Sequence, residues 1–177
     1  MNALIDACIK RDRKAQKELY KMHFSYAMNI CMRYSQSVEE AKEIMNDGFM
    51  KVFQYLEKFD RQRPFKPWLS KILITSAIDH FNKNNRYKVE TELEEGIMKE
   101  SSENILDTIS YEEMLEIVRK LPLRYQTVFN LKAIEGYKHE EIAQMLGISV
   151  GASKSNYAKA KQKLQSLLST YFGVTNE

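Results

Sequence analysis

The chain has 177 residues, 44% of them hydrophobic and 29% charged, with six glycines, three prolines and a net charge of +3. Enough apolar side chains are present for one ordinary core or two small ones, which excludes a disordered chain. The shortage of turn formers disfavours a turn-rich β fold and points to long helices.

Cys8 and Cys31 are too few for a disulfide framework and match no metal spacing, so both are read as free, buried thiols. The opening residues MNALIDACIKRDRK lack a basic leader followed by an apolar stretch, so no secretory signal is expected. The longest aliphatic run, Ile72-Leu73-Ile74, falls far short of the roughly 20 residues that cross a bilayer. A cytoplasmic protein without direct membrane insertion is the expectation.

In chain order, Lys14 to Tyr34 reads as a helix, with Leu19, Met22, Tyr26 and Ile30 at helical spacing. Ser37, with Glu40 three residues on, caps a second helix whose apolar arc is Ala41, Met45, Phe49, Val52, Phe53 and Leu56. Its opposite arc carries Glu40, Glu43, Asp47, Met50 and Gln54. After the polar turn from Phe59 to Pro64, Pro67 fits the first turn of a helix running to about Asn84, because proline there forfeits no hydrogen bond. Residues 85–109 are polar, acidic and weakly periodic, the pattern of a linker. Helical spacing resumes at Tyr111, Leu115 and Val118, breaks at Pro122, and continues to Ile134.

Charge follows this division. Residues 1–90 hold 17 basic and 11 acidic side chains, residues 91–120 hold 3 and 9, and residues 121–177 hold 7 and 4. Two basic modules flank an acidic spacer, a layout suited to two anion-binding units.

Residues 139–164 have a helix-turn-helix layout. Small Ala143 permits a close crossing, Gly147 supplies a left-handed turn, Ile148 plugs the corner and Ser149 caps the next helix. On that helix Ser153, Tyr157, Ala160, Leu164 and Leu167 fall inward. Gly151, Ala152, Lys154, Ser155, Asn156, Lys159, Lys161 and Lys163 fall outward. Small residues at its start let the backbone approach base edges in a major groove, and the lysines meet phosphates. Ser155 and Asn156 offer hydrogen bonds to bases. The alternative is an amphipathic hairpin with a solvated lysine face. Ser153 stands where such units carry a β-branched apolar residue, which predicts looser packing there.

The motifs Leu121-Pro122-x-Arg124, Gly136-Tyr137-x-x-Glu140-Glu141-Ile142-Ala143 and Leu146-Gly147-Ile148-Ser149-x-Gly151-x-x-Lys154-Ser155 resemble the C-terminal domain of extracytoplasmic-function sigma factors. Independently, Ala41-x-Glu43-Ile44-x-Asn46-Asp47-x-Phe49-x-x-Val52-Phe53 resembles their promoter-melting domain. Phe59-Asp60, Phe65-x-x-Trp68-Leu69 and Ala77-Ile78-Asp79 continue that likeness.

The resemblance implies an all-α protein of two small helical domains joined by an acidic linker, the second containing the helix-turn-helix. It implies a domain at 1–88 that grips core RNA polymerase and melts the promoter minus-ten element. A linker at 89–109 and a domain at 110–172 that reads the minus-thirty-five element follow. Polymerase contacts would fall to Glu43, Asn46 and Asp47, with Glu40 on the same face. Minus-ten DNA would meet Arg61, Gln62, Arg63, Lys66 and Lys83, with Phe65 and Trp68 as stacking candidates unless both are core. The minus-thirty-five contacts would be Gly151, Ala152, Lys154, Ser155, Asn156, Lys159 and Lys161. Thr75 and Asn82 stand where the family often has Asn and Arg, so the resemblance implies no particular base preference at the minus-ten element. Promoter DNA and an anti-sigma factor complete the implied partners.

No cofactor, metal or catalytic residue is expected. Asp79-His80 is the nearest thing to a catalytic pair, yet neighbours on a helix point about 100° apart. A free-standing helix-turn-helix regulator is the rival reading; it leaves the acidic face of the first half and the segment Arg61 to Trp68 unexplained.

Overall fold

The computed structural model describes residues 1–87 and 111–171, so the linker expected at 89–109 lies outside the described residues. Every described element is helical. The chain divides into two compact units, Met1–His80 and Phe81–Glu177, with the division inside a long helix.

The first unit opens with α1 (Asn2–Ile9), a helix too short for its periodicity to stand out in the sequence. It buries Ile5 and Cys8 and packs on α2 (Arg13–Met32) and on a 3-10 turn (Leu56–Lys58). Arg11, at φ 61°, makes the reversal between α1 and α2 in a left-handed conformation that costs a side-chain-bearing residue about 1–2 kcal/mol. Asp12 offsets part of that cost by capping α2, its carboxylate accepting from the Lys14 and Ala15 amides at 2.7 and 3.1 Å.

Helix α3 (Val38–Tyr55) starts as its sequence indicates, with the Ser37 hydroxyl accepting from the Glu40 amide at 3.1 Å. Ala41, Ile44, Met45, Phe49 and Val52 are buried along it, while Phe53 is half-buried. Helix α4 (Phe65–Tyr87) begins two residues before Pro67, which still lies in the first turn. Gly48 lets α3 lie close against α4: a Cβ there would sit 2.6 Å from Leu73 Cδ2. Leu73 is itself fully buried.

The second unit holds α5 (Tyr111–Arg119), α6 (Leu123–Phe129), α7 (His139–Leu146) and α8 (Val150–Tyr171). Its core gathers Ile117, Val118, Leu121, Ala160 and Leu164, with Tyr125, Phe129, Leu167 and Leu168 packed around them. The helical spacing read through Ile134 widens into a π-helical turn over Asn130–Ile134, and Ile134 is exposed. Both thiols are buried, and loss of solvent pushes the Cys31 pKa up to about 12.

Candidate nucleic-acid interface

The helix-turn-helix is built from its corner outward. Gly147 closes α7 at φ 65°, ψ 34°, and the Ile148 amide donates to the Ala143 carbonyl at 3.0 Å, the longer bond of a Schellman stop. Ser149 then caps α8, its hydroxyl accepting from the Ala152 amide at 3.0 Å. At the other end of α7, the Lys138 amide donates to the Glu141 carboxylate at 2.7 Å, one half of a capping box.

Helix α8 divides as its pattern requires. Ser153, Ala160 and Leu164 are buried, while Gly151, Lys154, Ser155, Lys159, Lys161 and Lys163 are exposed and Ala152 and Asn156 half-buried. Lys161 lies over the Tyr157 ring at 5.1 Å, so its ammonium leans along the helix rather than straight outward. The looser packing expected at Ser153 is corrected: its hydroxyl is 2.9 Å from His139 Nδ1, a polar tie that replaces an apolar contact. Tyr157 extends the tie, with His139 edge-on at 5.8 Å and Phe129 stacked at 6.1 Å. Burial and the nearby Lys132 and Lys154 ammonium groups hold the His139 pKa below its ordinary value. His139 meets Ser153 only because α7 crosses α8, a contact that local sequence pattern does not reveal.

In the first unit, the loop between the 3-10 turn and α4 is stiffened by Asp60. Its carboxylate accepts from the Gln62 amide at 3.0 Å and pairs with Arg63 Nε at 3.2 Å, while its carbonyl accepts from the Arg63 amide at 3.0 Å. Gln62, Arg63, Lys66 and Lys83 are exposed. Arg61 is exposed too, but its Nη2 is paired with Oδ1 of Asp6 on α1. Lys66 lies over the Tyr26 ring at 5.4 Å.

Phe65 is buried, with Phe59 edge-on at 5.3 Å, Trp68 at 5.5 Å and His23 at 5.0 Å. At 7% exposure it is part of the core of the first unit. Trp68 is half-buried against Phe59 and Phe65.

On α3, Glu43, Asn46 and Asp47 share an exposed strip, with the Tyr20 hydroxyl donating to Asn46 Oδ1 at 3.2 Å. Glu40 stands apart from them. Its carboxylate accepts from the Gln36 amide at 2.6 Å and faces His80 Nε2 at 3.2 Å, so each oxygen has a partner inside the fold. Asp79 goes instead to Lys51 Nζ at 2.6 Å, which parts the two neighbours that most resembled a catalytic pair. Among the described residues no cluster of His, Cys, Asp and Glu suits a metal ion, and no helix is long and apolar enough to cross a membrane.

Known proteins carry the same two modules in the same order. Residues 19–87 match the family Sigma-70 region 2, and residues 111–164 match Sigma-70, region 4. The chain is 29% identical to the RNA polymerase sigma factor SigV of Bacillus subtilis (strain 168), over 89% of this chain and 87% of that protein. It is 27% identical to the ECF RNA polymerase sigma factor SigW of the same organism, over 90% and 91%. Among solved structures, the sigma factor RpoE crystallised with the anti-sigma factor NepR from Bartonella quintana shares the fold. That match has a TM-score of 0.51 and 19% identity, over 86% of this chain and 95% of that one. With a region 2 and a region 4 in sequence and full-length likeness to such proteins, the chain belongs to the extracytoplasmic-function sigma factors of RNA polymerase.

Proposed function

We propose that the work is divided between the two units. Residues 1–88 hold core polymerase through Glu43, Asn46 and Asp47 and engage the minus-ten element through Gln62, Arg63, Lys66 and Lys83. Residues 110–172 read the minus-thirty-five element through α8, and residues 89–109 join the two. The observation that carries this division is the pair of exposed faces of opposite sign, acidic and amide on α3, lysine-bearing on α8. A face of carboxylates repels phosphate and suits a basic protein surface; a face of lysines attracts phosphate and releases its counterions.

Within α8, Lys154, Lys159 and Lys161 supply sequence-blind affinity. Gly151, Ala152, Ser155 and Asn156 lie where the helix start approaches base edges. Glu40 acts as a brace for α3 rather than as a polymerase contact, and Phe65 and Trp68 shape the loop from beneath. The protein works in the cytoplasm, where polymerase is, and performs no catalysis of its own. An anti-sigma factor is a further partner, by analogy with the RpoE–NepR complex.

The test is run-off transcription with purified core polymerase on a promoter library. Initiation from templates sharing spaced minus-thirty-five and minus-ten sequences is expected. No promoter-directed initiation, where a known initiation factor works, would overturn the reading.

A further inference from the structure

The loop proposed to meet the minus-ten element is tied to a helix that lies far from it in sequence. Asp6 on α1 and Arg61 in the loop are 55 positions apart, and their carboxylate and guanidinium are paired through one oxygen and one terminal nitrogen. The placement is built in. Ile5 and Cys8, on either side of Asp6, are buried, and α1 packs on the 3-10 turn that leads into the loop. Both partners remain about half exposed, at 49% for the Asp6 side chain and 41% for that of Arg61, so a nucleic acid can reach the pair. The hydrogen bond from Arg61 holds the Asp6 carboxyl below its ordinary pKa, which keeps it charged.

We infer that Asp6 is a positioning residue for promoter selectivity, acting through Arg61. This rests on the proposed minus-ten role of the loop. A free arginine on a loop finds any phosphate, and phosphate contacts add affinity without sequence information. A carboxylate at one edge of the guanidinium changes both properties. Its charge weakens the pull on phosphates, and its grip holds the planar fork in one direction. The N–H groups left over then point along a fixed line, where they reward one arrangement of acceptors above others. Arg63, 80% exposed and paired with its loop neighbour Asp60, supplies a second cation beside it.

The experiment uses holoenzyme assembled from core polymerase and the full chain. Its probe is a fluorescent single-stranded oligonucleotide carrying the minus-ten sequence that wild-type holoenzyme selects from a randomised pool, beside a scrambled copy. Asp6→Asn keeps the volume and removes the charge. It should bind the scrambled strand about twofold more tightly, as expected for releasing one exposed ion pair. The preference for the selected strand should fall about threefold. Asp6→Glu should restore the preference, a recovery that a purely structural loss of α1 would not show. An unchanged preference in Asp6→Asn overturns the inference while leaving the proposed function standing. A wild-type holoenzyme with no preference between the strands overturns both.

Discussion

The Ser153 hydroxyl, shut off from solvent on α8, sits 2.9 Å from Nδ1 of His139 in the first turn of α7. The bond fastens the start of the lysine-bearing helix to the helix it crosses. It replaces the contact between apolar side chains that packing alone would place there. Burial and two neighbouring ammonium groups disfavour protonation of the imidazole, and in its neutral form one ring nitrogen accepts while the other donates.

Removing one partner of this bond leaves the other polar and unsatisfied. His139→Leu should therefore destabilise the second unit by about 1–3 kcal/mol, as the stranded hydroxyl of Ser153 loses its partner. The double variant His139→Leu, Ser153→Val should recover most of that loss, because replacing both groups with apolar ones is nearly neutral. Urea unfolding of the two single variants and the double variant measures the coupling, and additive effects would show that the bond contributes nothing.

Two glycines should resist substitution for different reasons. Gly147→Ala forces a side chain into a left-handed residue at φ 65° and should cost about 1–2 kcal/mol, with open space around the new methyl. Gly48→Ala meets Leu73 at 2.6 Å and should cost about 1–3 kcal/mol by overpacking. Adding Leu73→Val should relieve the second loss and leave the first untouched, a contrast that thermal unfolding reads directly.

The exposed lysines of α8 should act on DNA through phosphate. Lys154→Ala and Lys159→Ala should each weaken minus-thirty-five duplex binding almost equally for matched and mismatched sequences. Each should also lower the salt slope by about one. Titration at several salt concentrations checks this; a slope equal to wild type would remove the lysine from the phosphate contacts.

Charge reversal on α3 separates the two proposed activities. Asp47→Arg should prevent holoenzyme formation on size-exclusion chromatography, while the full-length variant keeps its affinity for a minus-thirty-five duplex. Glu40→Gln should instead lower stability by under about 1 kcal/mol and leave holoenzyme assembly intact, since its oxygens serve Gln36 and His80. Assembly by Asp47→Arg at wild-type strength would exclude the α3 strip as the polymerase contact.

His23 predicts a pH dependence. It is buried beside Phe65, neither ring nitrogen has a protein partner, and loss of solvent, with Lys66 adding to it, lowers its pKa. The unfolded chain takes up this proton first, at the ordinary imidazole value near 6.5, so stability is fully present above that pH. It should fall as the pH drops from about 6.5 toward the lower folded value. His23→Phe should flatten that limb of the stability curve, as followed by denaturant midpoints at pH 5, 6 and 7.

Much of this architecture is legible in the sequence because it depends on neighbours in sequence. The Ser37 cap, the buried arc of α3, the left-handed Gly147 and the two faces of α8 all follow from local pattern and appear as expected. Other features depend on how helices cross. Helix α1 has eight residues, only two of them buried, so its pattern is too short to stand out. Asp6, His80 and His139, which meet Arg61, Glu40 and Ser153, lie 55, 40 and 14 positions from them, beyond the reach of any spacing rule. The π-helical turn at Asn130–Ile134 keeps helical composition, which conceals its altered period.

The socket at Gly48 carries a mechanical consequence. With the Leu73 side chain seated where a methyl would otherwise stand, α3 cannot slide along α4 without lifting a wholly enclosed leucine out of its seat. The strip holding Asn46 and Asp47 flanks that seat, and the loop from Phe59 to Pro64 leads directly into α4. The seating of α3 against α4 thus depends on a side chain that is missing.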